Sequence, residues 1–181
     1  AWSDELLEAT GLQRAHMPDL VEGSEPSGML RRDLAARWGM RADVVIAGGG
    51  GDNAASAIGV GVVRSGEAFV SLGTSGVLFA ASDAYQPDPA SAVHSFCHAV
   101  PQTWHQMGVI LAASDALSWF GRVLGAAPED MTCGLGPLQA PSATLFLPYL
   151  GGERTPHNDA VIRASFLNLD HSTDHVAMTR A

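Results

Sequence analysis

The chain of 181 residues is 46% hydrophobic and carries a formal charge of −9, from 10 basic against 19 acidic side chains. That content suffices for one good core, or for parts of two domains meeting at a cleft. The acidic balance argues against a nucleic-acid backbone or an anionic membrane surface as partner, so a bound phosphate would need local donors.

The opening Ala1-Trp2-Ser3-Asp4-Glu5 lacks the basic and apolar regions of a signal peptide, and no later run approaches the ~20 apolar residues of a membrane span. A soluble protein is expected. No initiator methionine is present and the sequence stops at Met178-Thr179-Arg180-Ala181 without a closing turn, so it reads as a portion of a longer protein. Residues 3–10 predict a short helix with Ser3 as N-cap, and 28–38 a second with Leu30, Leu34 and Trp38 on one face, between Pro26 and Gly39. Val44-Val45-Ile46 is an apolar run of the buried-strand type; it leads through Gly48-Gly49-Gly50-Gly51 into Asp52 to Ile58, which has helical composition.

Gly59 to Gly66 reads as a joint, because from Glu67 onward strands and turns alternate. Phe69 to Leu72 and Val77 to Ala81 predict two strands around Gly73-Thr74-Ser75-Gly76, and Trp104 to Leu111 a third. A helix with Leu117, Phe120 and Leu124 on one stripe follows, giving an α/β pattern. Pro87 to Pro101 and residues 125–142 read mostly as loop, and Leu145 to Leu150 as a returning strand.

The glycine run lets the backbone turn tightly and approach a ligand, and the carboxyl end of a strand is where an open α/β sheet binds one. Asp52, the only acidic residue between Asp43 and Glu67, stands there. The residues alone leave two roles equally open, a cap for the following helix or a carboxylate presented to a cleft. Gly49-x-Gly51-x-x-Ala54 formally fits a dinucleotide fingerprint, but Asp52 would face the pyrophosphate and no acid follows about twenty residues on.

Gly73-Thr74-Ser75-Gly76 offers hydroxyls and successive amides suited to phosphate oxygens, yet by pattern alone an ordinary hairpin turn is favoured, since no Walker lysine accompanies it. His94, Cys97, His98 and His105 lie close together, without the spacing of a metal centre, and no metal site is expected from them. Cys97 and Cys133 form no CxxC pair and read as core thiols of a reducing, cytoplasmic compartment. Gly151-Gly152-Glu153-Arg154-Thr155-Pro156-His157-Asn158 reads as a solvated polar turn.

Several blocks in order, Trp2 to Glu5, Gly48 to Gly61, Ser71 to Gly76, Ser91 to His98, Val100 to Gln102 with Trp104-His105, and Leu147 to Asn158, resemble the FGGY carbohydrate kinases. The resemblance implies an RNase H-like, actin-type ATPase fold, with residues 1–64 ending a first domain and 65–181 beginning a second. It implies ATP with Mg2+ in the cleft and D-xylulose as the sugar, Asp52 as the catalytic base, Asp52 and Asn53 as sugar contacts, and Gly73, Thr74, Ser75 and Gly76 as the phosphate cradle. Other pentulose or polyol kinases, and a non-catalytic sugar- or nucleotide-sensing module of the same fold, are the alternatives. The family's N-terminal Asp-x-Gly-Thr phosphate loop is not in this sequence, and Gly151 stands where relatives commonly have serine. A homodimer is a further expectation, through apolar surface left open on such a portion.

Overall fold

The computed structural model of the protein describes residues 2–181. Helix α1 (Asp4–Ala9) starts where expected, the Ser3 hydroxyl accepting from the Leu6 amide at 3.3 Å. Arg14 reaches back to grip the Asp4 carboxylate and the Trp2 carbonyl, fixing the chain that leads to the first hairpin.

That hairpin corrects the expected 28–38 helix. Pro26–Met29 forms strand β1, paired antiparallel with β2 (Val45–Ala47), and helix α2 spans only Arg32–Arg37. Pro26 and Gly28 are poor helix residues, and the Leu30 amide continues the ladder to the Val44 carbonyl. Trp38 is exposed, and so are Val45 and Ile46 of β2, which was expected to be buried. A two-stranded sheet has no second layer to cover them.

Strand, glycine turn and helix follow in the expected order, with α3 spanning Asp52–Val60 and Gly61 ending it in the left-handed conformation, φ +83°. Val62 then drops into the core, and the Glu67 carboxylate accepts from the amides of Val63 and Arg64, both at 2.8 Å, which lowers its pKa and ties the joint.

Beyond the joint lies a four-stranded antiparallel sheet in the order β3-β4-β6-β5, from β3 (Ala68–Leu72), β4 (Gly76–Ser82), β5 (His94–Cys97) and β6 (Trp104–Ile110). Strand β5 corrects the loop expected over 87–101; its four residues hold two ring-bearing side chains that pack on the same face as Phe79 of β4. Phe79 is fully buried, clustered with Ala57, Val62 and Ala81 and packed against Phe69. The core therefore takes Ala57 from α3 and Phe79 from β4, on opposite sides of the joint.

Helix α4 (Ser114–Leu124) buries Phe120 as its stripe predicted. Helix α5 (Pro128–Cys133) lies within the stretch expected to be loop, with Pro128 in the first turn, where a missing N–H costs nothing. Strands β7 (Leu145–Leu147) and β8 (Ser165–Leu167) pair antiparallel, and α6 (His175–Arg180) follows with Asp174 as its cap.

Candidate active site

Asp52 is the first residue of α3, not its cap; Gly51 holds that position and its backbone supplies no side-chain acceptor. The Asp52 Oδ1 accepts from the Asn53 backbone amide at 2.7 Å and from the Asn53 side-chain amide at 3.4 Å. Oδ2 receives no hydrogen bond from any described residue, and the carboxylate is exposed. One oxygen is thus oriented by its own helix and the other is open to a ligand.

The glycine run that delivers Asp52 needs glycine for stereochemical reasons, two of them shortly before Asp52. Gly49 has φ +83°, which favours glycine, and a Cβ on Gly50 would lie 2.9 Å from the Cβ of Ala99. The Gly48 and Gly49 amides bond to the carbonyls of Glu25 and Gly23, at 2.9 Å each, so the run is held on both sides.

Asp52 and Asn53 face a cleft of about 410 Å³ whose walls are Gly51 to Ala54 on one side and Phe96, Cys97, His105 and Met107 on the other. These four were missed as site residues by sequence. His105 carried a signal, its closeness to His94, Cys97 and His98, but the residues alone gave no way to see β5 and β6 turned toward α3. Cys97 lines the cleft and Cys133 ends α5, both exposed, which corrects the expectation of core thiols.

His98 and His105 are the buried members of the histidine group. The His105 ring stacks on Phe79 at 4.2 Å, and its Nδ1 has no partner among the described residues. Burial pushes its pKa down to about 4, with a smaller contribution from neighbouring His98, so the ring is neutral near pH 7. Across from the Asp52 carboxylate the cleft therefore presents an uncharged imidazole.

Gly73 to Gly76 is not among the residues lining this cleft. It forms the tip of the β3–β4 hairpin, with the Gly73 amide donating to the Ser75 carbonyl at 2.9 Å. The entry of α4 packs against it: the Ala113 and Ser114 amides donate to the carbonyls of Thr74 and Gly73. The carbonyls are thus occupied, while among the described residues the amides and hydroxyls of Thr74 and Ser75 have no partner. Adjacent free amides beside two hydroxyls are the chemistry a phosphate group asks for.

The segment 151–158 departs from a simple solvated turn. Glu153 is buried, its Oε1 accepting from the amides of Leu111 and Arg154 at 2.9 and 2.7 Å. The Thr155 hydroxyl accepts from the Val109 amide at 3.0 Å and donates to the Ala92 carbonyl at 3.1 Å. This loop therefore clasps the end of β6 that adjoins the hairpin tip.

Residues 1–59 match the N-terminal domain of the FGGY family of carbohydrate kinases, and residues 68–181 match its C-terminal domain. The chain is 46% identical to the xylulose kinase of Escherichia coli strain K12 over 99% of its own length and 37% of the relative's. Among solved structures it resembles a xylulose kinase from Brucella ovis, with 61% identity and a TM-score of 0.95 over 99% of this chain and 37% of that one. It also resembles a ligand-bound xylulose kinase from Lactobacillus acidophilus, 26% identical with a TM-score of 0.85 over the same shares. The chain thus spans little more than a third of these proteins, and its mixed α/β architecture follows their actin-type ATPase fold.

Proposed function

Since the chain belongs to the FGGY family of carbohydrate kinases, we propose that it supplies the central part of an enzyme that transfers phosphate from ATP to the 5-hydroxyl of D-xylulose. The free Oδ2 of Asp52 on the cleft is the observation that carries the reading. The sugar comes from the names of the relatives. Residues 1–64 would complete one domain and 65–181 begin the other, with the cleft between them.

In this reading Asp52 Oδ2 accepts the proton of the sugar hydroxyl as that oxygen attacks, so a carboxylate suffices as the base. Asn53 keeps the carboxylate turned by its two contacts to Oδ1 and offers its side chain to a neighbouring sugar hydroxyl. Thr74 and Ser75 donate amides and hydroxyls to phosphate oxygens, Gly73 and Gly76 giving the hairpin tip its close backbone. When bound, ATP with magnesium supplies the phosphoryl group and offsets its charge. The protein would have to offer such an ion one or two carboxylates, and Asp52 is the acidic side chain on the cleft that could serve. The hairpin tip lies outside the cleft lining, so closure of the rest of the enzyme over this part is the step that would bring sugar and phosphate together.

In the intact enzyme, Asp52→Asn should lower kcat for D-xylulose by about 10²–10⁴-fold while ATP still binds by calorimetry. Turnover near the unsubstituted level would remove Asp52 from the role of base. Binding of sugar and nucleotide by the intact protein with no phosphotransfer would favour a sensing module instead.

A further inference from the structure

The turn between β5 and β6 holds both ends of the helix that begins with Asp52. Past the C-terminal end of α3, the buried His98 ring bonds through Nε2 to the Val62 carbonyl at 3.1 Å, while its Nδ1 accepts from the Val100 amide at 3.0 Å. These partners fix the neutral tautomer with the proton on Nε2, because a carbonyl can only accept and an amide can only donate. Before the N-terminal end, the next residue, Ala99, lies against Gly50 so closely that a Cβ on that glycine would stand 2.9 Å from the Ala99 Cβ. The Ala99 carbonyl also lies 3.6 Å from the place where a Cβ on Gly23 would be, beside the carbonyl to which the Gly49 amide bonds.

We propose that His98 and Ala99 form a clamp that positions the Asp52 carboxylate in the cleft, making both of them positioning residues for phosphoryl transfer. The inference rests on the reading of Asp52 as base. Residues 98 and 99 belong to the part that matches the C-terminal family domain, whereas Gly50 and Asp52 belong to the part that matches the N-terminal one. The clamp therefore crosses from one domain match to the other and sets where the carboxylate of the first stands over the sheet of the second. Between Val62 and Gly50 the helix has little freedom to slide, since the turn is itself closed by the His98 amide bonding to the Thr103 carbonyl at 2.9 Å. Ala57 packs on Phe79 and opposes a roll of the helix about its axis.

The test is a size exchange in the intact enzyme. Gly50→Ala forces the run and Ala99 apart, with no penalty from positive φ at that position. It should lower kcat on the order of 10- to 100-fold, the loss expected when reacting groups are displaced by up to about 1 Å. The KM for ATP should stay within about twofold, because the hairpin tip is untouched. Adding Ala99→Gly removes the opposing methyl and should restore kcat to within roughly threefold, together with the hydrogen-exchange protection of the α3 amides. Full activity in Gly50→Ala, or a loss that Ala99→Gly leaves unrelieved, would overturn the clamp.

If Gly50→Ala does not fold, His98→Gln and His98→Asn decide the question. Gln can still donate to the Val62 carbonyl, whereas Asn can serve only the nearer Val100 amide, so Gln should keep several-fold more kcat than Asn; equal values refute the clamp. Retained turnover in Asp52→Asn would refute the base assignment alone, so the two failures are told apart.

Discussion

A buried imidazole with an unpartnered nitrogen gives the protein a sensitivity to mild acid that can be assigned to one residue. His105 titrates at about 4 in the folded chain, chiefly through burial, against ~6.5 when unfolded. Between those values the unfolded chain binds a proton that the folded chain does not, so stability is lost as pH falls through that window. The loss levels off below about pH 4, at up to roughly 3 kcal/mol. Urea unfolding at pH 7.0, 5.5 and 4.5, which span that window, should show the fall, and His105→Gln should flatten it; an equally steep fall in the variant would clear His105. At the same scale the glycine run and the absence of other acids nearby singled out Asp52, while the residues alone left it equally a helix cap or a carboxylate presented to a cleft. It could not exhibit Phe96, Cys97, His105 and Met107 as the facing wall, because that wall depends on how β5 and β6 lie against α3 and on nothing local.

Among the elements, β4 supplies the buried residues on which α3 packs. It lies between β3 and β6 and alternates buried Phe79 and Ala81 with more open neighbours. Phe79→Ala should cost about 3–5 kcal/mol, from lost burial and the cavity left between α3 and the sheet. Because Ala57 and Val62 line that cavity, α3 should lose amide protection in the variant while α5 keeps its own; a loss spread evenly would argue against a local effect. Strands β3 and β4 could be read in advance because their apolar runs meet at the Gly73–Gly76 turn, and β6 was read within Trp104 to Leu111. Strand β5 was hidden by its shortness and by His94 beside polar Ser95, and β1 by the helical look of the residues after it. Strand β1 finds its pairing in β2 beyond the intervening helix, and β5 in β6, the strand that follows it. Local propensity is silent on such pairing.

At the scale of the whole molecule, matches to two domain families meet in one core. Ala57 falls within the first match and Phe79 within the second, yet they pack together. The chain should therefore unfold in a single transition, with α3 and β4 amides losing protection at the same denaturant concentration; two separate midpoints would show independent units. The actin-type fold was legible through resemblance, whereas the shared core was not, since nothing in residues 59–66 says which way Val62 turns. The Thr155 hydroxyl ties Ala92 and Val109 together only after both strands of the cleft wall have been made. During synthesis, α3, the β3–β4 hairpin and strands β5 and β6 all leave the ribosome well before that clasp exists, so the wall opposite Asp52 can form before it is tied down. A nascent chain paused before Thr155 would already hold the carboxylate and its facing wall but not the tie between Ala92 and Val109, which makes this stretch of translation the interval in which a chaperone would have most to protect.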